Sequence, residues 1–200
     1  ESIPDVDYTD STITVAANDR YDGKSRLFEW LIGKHNRKYW SVENEFPLFD
    51  VTEVEWGLDP VRIGGKGQST TLHLEREDGR DFVLRSVDKE AGRIWDENLR
   101  KTFALDVAQD QFSIINPYAA LVIPDLADAA GVYHTNPKIY FVPDDPQLGA
   151  YAEQLSDELA LFEERPNGDM SDVESVGNSD EILSSSELIR ELDGDIDHRV

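Results

Sequence analysis

The chain contains no cysteine, which excludes disulfides, a thiolate nucleophile and zinc–thiolate coordination. Its four histidines are scattered without metal-ligand spacing, and none neighbours a nucleophile in sequence as a stand-alone hydrolase would favour. No apolar run approaches the roughly 18 residues of a membrane-spanning helix. The opening segment also lacks the charged-then-apolar design of an export signal. Basic residues are scarce: 19 Lys and Arg stand against 42 Asp and Glu, a formal net charge of −23. Such a surface repels polyanions, so a general nucleic-acid binder is excluded. The surplus, spread from end to end, with twelve arginines and seven lysines, resembles the solvated surface of a protein from a high-salt organism, where a Debye length of about 3 Å screens self-repulsion.

What the chain does have is a real core, with 39% hydrophobic and 10% aromatic residues, enough for one or at most two domains. Its centre is residues 62–87. Two alternating runs, Thr70 to Leu74 and Phe82 to Val87, flank Asp78-Gly79, a strong hairpin signal. A glycine-rich turn opens that hairpin. Gly64, Gly65 and Gly67 free the backbone to approach an anion such as phosphate, although a turn alone is the commoner use. Arg85 then sits amid the apolar residues of the second strand. It is placed either to reach phosphates held by the turn or to snorkel from a solvated face.

Around this centre the pattern predicts a β-like run from Ser11 to Ala17 and a short amphipathic helix on Leu27, Trp30 and Leu31 that ends at Gly33. The basic cluster from Lys34 to Trp40 suits a structural role, with aromatics packed inward, more than a phosphate or lipid-headgroup contact. Residues 41–61 read as extended chain. A helix from about Asp96 to Ile115 turns Leu99, Phe103, Val107, Phe112 and Ile115 to one face, with Asp106, Gln109 and Asp110 among its polar positions. A second, apolar and therefore buried helix spans about Tyr118 to Ala130. A strand follows from Pro137 to Val142, then an acidic surface turn at Asp144 and Asp145, helix from Tyr151 to Glu158, and strand-like chain from Leu159 to Arg165. Residues 166–180 form a loop, and Ser184 to Glu187 offers helix-capping chemistry. The expected class is α+β, a small antiparallel sheet with packed helices. Residues 1–19 are a linker or edge segment, 20–165 the main lobe, and 166–200 a loop and the start of a further helical lobe. The start at Glu1 and the end at Val200, inside a helix-like pattern, suggest part of a longer protein.

Several segments carry a resemblance: Gly33 to Trp40, Gly64 to Ser69, Phe82 to Val87, Gln109 to Gln111, Asn116 to Val122, Ala127 to Val132, Pro143 to Pro146, Phe162 to Pro166 and Asp197 to Val200. In these the chain resembles uncharacterised envelope proteins of Bacteroidota, in which this region lies between a calcineurin-like metallophosphoesterase domain and a BamA-like outer-membrane barrel. That resemblance implies neighbouring domains and a cell-envelope location. More distantly, the order of elements is similar to the amino-terminal lobe of HipA-like and secretory-pathway casein-kinase-like atypical kinases. This implies that Gly64, Gly65, Gly67 and Gln68 cover the phosphates of a nucleotide and that Arg85 takes the lysine position. Asp106 or Asp110 would pair with it, and Leu161 to Glu164, including Glu163, would form the hinge. It also implies ATP with Mg²⁺ as ligand, completed by residues beyond Val200, and no catalytic or metal-binding residue within this chain. Arginine in place of lysine departs from the pattern and puts phosphoryl transfer in doubt. The alternative function is a non-catalytic module that positions a phosphoesterase domain at the outer membrane.

Overall fold

A computed structural model describes residues 12–64, 67–94, 96 and 98–194. The fold is α+β. Strands β1 (Thr12–Val15) and β2 (Asn44–Pro47) form a two-stranded antiparallel ribbon. Between them lie α1 (Arg26–Ile32) and α2 (Arg37–Ser41). The main sheet contains β3 (Asp59–Gly64), β4 (Thr71–Glu75), β5 (Asp81–Ser86), β6 (Lys138–Val142) and β7 (Glu158–Glu164) in the spatial order β3-β4-β5-β7-β6, antiparallel throughout. Three further helices complete the architecture: α3 (Phe103–Asp110), α4 (Ile123–Ala130) and α5 (Ser185–Gly194).

The hairpin of β4 and β5 has the boundaries that the alternation predicts, to within a residue, and turns at Gly79, whose φ of +87° suits a residue without Cβ. β3 was hidden in chain read only as extended. Pro60 lies within it and a bulge interrupts its pairing between Pro60 and Arg62, both of which disguise strand periodicity and mark an edge. The glycine turn therefore joins two paired strands.

Strand alternation sends Leu72, Leu74, Phe82, Leu84 and Phe162 to one face. There they meet Phe49, Val51 and Leu58 from the loop after β2, and Leu148, Ala152 and Leu155 from the segment before β7. Phe82 and Phe162 stack with centroids 5.5 Å apart. The opposite face is covered only over β6 and β7, where Ala17, Tyr21, Trp40 and Phe46 pack on Ile139, Phe141 and Leu159. Over β4 and β5 no apolar cluster covers that second face among the described residues, although Thr71 and Val83 there are buried among neighbouring side chains.

Three expectations about helices are corrected. Continuous helix from Asp96 to Ile115 reduces to the eight residues of α3, flanked by single 3-10 turns at Leu99–Lys101 and Gln111–Ile114. Its burial is also inverted, since Phe103 is 72% exposed while Asp110 is buried. The apolar α4 has no buried residue and leaves Ile123 and Leu126 in solvent. The helix α1 ends at Gly33 as expected, with its stripe of Leu27, Trp30 and Leu31 also facing outward. In each case periodicity identified the helix but not whether a neighbour covers its apolar stripe. The stretch before β7 winds as a 3-10 segment, Pro146–Gln154, kinked at Gly149. Asp145, foreseen at the surface, is buried as its N-cap and accepts from the Gln147 amide at 2.8 Å.

Candidate functional site

The predicted site residues divide between the two faces of the sheet. Gly65 lies outside the described residues. Gly64 ends β3 beside His73, and a Cβ there would come within 2.8 Å of His73 Nε2; close strand packing accounts for this glycine without a ligand. Gly67 has open space around it. Gln68 lines a polar cavity that extends the Phe82 and Leu84 face beyond the end of the core, together with Thr70, Ser86 and Glu158. Arg85 stands on the other face, in register with Thr71 on one side and Leu161 on the other. Gln68 and Arg85 therefore do not converge on one ligand.

Arg85 is also not partnered by α3. Asp110 is buried and held by Arg37, whose Nη1 and Nη2 donate to its two carboxylate oxygens at 2.5 and 2.6 Å, with Lys24 Nζ 3.9 Å away. Asp106 is exposed. The helix directs its buried acid toward α2 because the basic cluster supplies a planar guanidinium there, and a bidentate pair satisfies both oxygens. Arg37 and Trp40 are buried while Tyr39 is exposed, so the cluster has a structural use although only one of its two aromatics packs inward. Removing one member of such a buried pair costs on the order of 3–5 kcal/mol, because the other is left uncompensated.

What does face Arg85 is Glu163, with Nη1 to Oε1 at 3.8 Å. Glu163 also accepts from Thr135 Oγ1 at 2.8 Å. These residues border a groove of about 440 Å³ over the uncovered half of the sheet, floored by Val83 and flanked by His73 and Arg165. Arg62, on the neighbouring strand, lies 3.4 Å from His73 Nδ1 and has no carboxylate partner among the described residues. Burial, reinforced by Arg62 and Arg165 and more weakly by Arg85, lowers the His73 pKa and keeps the ring neutral. Three arginines thus gather on one face of a strongly acidic molecule, with Arg85 set against Glu163. Arg165 is balanced loosely by Asp81 at 3.4 Å.

Two residues central to the geometry escaped notice in the sequence. Asp88, just past β5, accepts from Asn18 Nδ2 at 2.7 Å, Tyr21 Oη at 2.7 Å, its neighbour's Lys89 amide at 2.8 Å, and Arg20. It ties the amino-terminal segment to the sheet. Burial, then the hydrogen bond to Asp88, raises the Tyr21 hydroxyl pKa. Gln109 of α3 completes the network, donating to Tyr21 Oη at 2.9 Å and Lys89 O at 2.6 Å. Glu158 is the second omission. It opens β7 ahead of an apolar run, half-buried, and burial followed by the charges of Asp88 and Glu90 pushes its carboxyl up to about 8. An acid heading the run Leu159 to Phe162 was the available signal.

Among the described residues no group of three or more His, Asp or Glu could hold a metal ion, and no helix is long and apolar enough to cross a membrane. Family models, curated proteins and solved structures were compared with the chain, and none matches.

Proposed function

We propose that the chain is a binding lobe for a phosphorylated ligand, a nucleotide in the first instance, held on the open sheet face by Arg85 and its neighbours rather than beneath the glycine turn. The observation that carries this reading is the convergence of Arg62, Arg85 and Arg165 around His73 in a molecule of net charge −23. Three guanidiniums gathered on one uncovered face suit an anion with several oxygens. The order of elements supports a nucleotide: a glycine turn, a hairpin with Arg85 on its second strand, α3, then the pair β6 and β7 ending near Glu163. Within this reading Glu163 holds the Arg85 side chain until an anion displaces it. The described residues offer no carboxylate set for Mg²⁺, so the ion would arrive with the nucleotide, and the lobe binds without transferring phosphate. The envelope setting and the neighbouring domains enter on the resemblance alone.

Calorimetric titration with ATP and Mg²⁺, and separately with pyrophosphate, tests the proposal. Arg85→Ala should lose about 1.5–3 kcal/mol of binding, the value of a hydrogen bond to a charged group, with an unchanged far-ultraviolet circular dichroism spectrum. Absence of binding heat in the wild type, or equal affinity in the variant, refutes it. The scaffold reading then gains, favoured by the exposed apolar residues of α1 and α4.

A further inference from the structure

The polar cavity at the end of the core is lined by more acidic residues than its arginines pair with. It encloses about 210 Å³ between the start of β7, the end of β5 and the turn before β4. Of the charged residues around it, Arg20 is taken by Asp88 and Arg93 by Glu90 at 3.3 Å. Glu153 and Glu158 have no cationic partner among the described residues. An anion entering here would meet the Glu153 carboxylate and, once Glu158 ionises above about pH 8, a second one, so phosphate is disfavoured on this face even though Gln68 is present.

Two groups point to a ligand of the opposite sign. The Glu158 carboxyl, half-buried on the core face of β7, makes no hydrogen bond or ion pair among the described residues, an arrangement that costs free energy while the group is charged and alone. Thr70, 4% exposed, borders the same cavity, and its hydroxyl has no hydrogen-bond partner among the described residues. Beside it Ser86 Oγ accepts, among the described residues, only the Thr70 amide, at 3.0 Å, and retains a lone pair. We propose that this cavity binds a small organic cation through its primary ammonium group, with the Glu158 carboxylate as counter-ion and the Thr70 and Ser86 hydroxyls as acceptors. An ammonium offers three donors, one for each of these oxygens. The volume is that of about seven waters at roughly 30 Å³ each, too large for a bare ion and suited to a few heavy atoms. The site is independent of the arginine face.

Binding replaces a proton. With Glu158 held protonated up to about pH 8, the cation must displace that proton at neutral pH, and affinity rises by about tenfold per pH unit below that value. The experiment is a titration of the full chain with ethanolamine hydrochloride in tetramethylammonium chloride, a background cation with no N–H. It is followed by the backbone amide resonances of Thr70, Ser86 and Glu158. The expected result is a saturable one-to-one shift at those amides, at least tenfold tighter at pH 8.5 than at pH 6.5. Glu158→Gln should abolish it, while Glu153→Gln at the rim should weaken it less than threefold. No saturable shift at pH 8.5, or equal affinity in Glu158→Gln, overturns the proposal. Potassium chloride reproducing the same shifts overturns the organic ligand in favour of an alkali ion. Should Glu158→Gln fail to fold, the pH dependence of the wild type decides: a flat affinity from pH 6.5 to 8.5 rejects Glu158 as the counter-ion.

Discussion

Individual side chains in this protein carry charge into places where charge is costly, and the cost is met differently at each. Asp110 has Arg37 on both oxygens; Asp88 has four donors; Glu158 has neither, and its proton affinity rises instead. That difference sets a pH dependence of stability. The folded-state value of about 8 exceeds the ordinary 4.5, so the folded chain holds the Glu158 proton more tightly than the unfolded chain does. The stabilisation is complete below about pH 4.5 and lost as pH rises through 8. Glu158→Gln removes this dependence. Its stability advantage over wild type should grow by on the order of 2–4 kcal/mol between pH 5 and pH 9, allowing for the partial exposure of the group. Urea denaturation at the two pH values measures it, and a constant difference between variant and wild type contradicts the assignment.

At the scale of elements, what could be read in the sequence was whatever local chemistry decides. The hairpin at Asp78-Gly79 and the capping of α5 depend on residues a few positions apart. Ser184 and Glu187 exchange hydrogen bonds, Ser184 N to Glu187 Oε2 at 2.9 Å and Glu187 N to Ser184 Oγ at 3.3 Å, a reciprocal capping box. Because Leu188 and Ile189 are exposed, little packing supports α5 and the cap matters more. Ser184→Ala should cost the helix about 1 kcal/mol, visible as faster amide exchange at residues 187–190 with no change in the sheet. What could not be read depends on partners distant in the chain. Asp110 and Arg37 are 73 residues apart, and Arg85 and Glu163 meet only because β5 pairs with β7. Composition revealed the candidate Arg85 but not its face. Pairing with Asp106 or Asp110 of α3 is what the resemblance to kinase lobes implies, yet Asp110 points to α2.

For the whole molecule, the dominant physical fact is the surplus of 23 negative charges. Self-repulsion of that size opposes the compact state until salt screens it. The thermal midpoint should therefore rise from dilute buffer to molar KCl, and a flat response would show that local pairings already neutralise the field. Screening also removes the repulsion that keeps separate molecules apart, just when exposed sheet edges become a hazard. Here the two edges are guarded by more than charge. On β6, Leu48 forms a parallel bridge to Phe141 and Phe49 N donates to Phe141 O at 2.8 Å, occupying hydrogen-bonding positions that another chain would seek. On β3, Pro60 withholds a donor and the bulge that follows it breaks the repeat. Resistance to strand addition is thus built into backbone geometry, which brine leaves untouched.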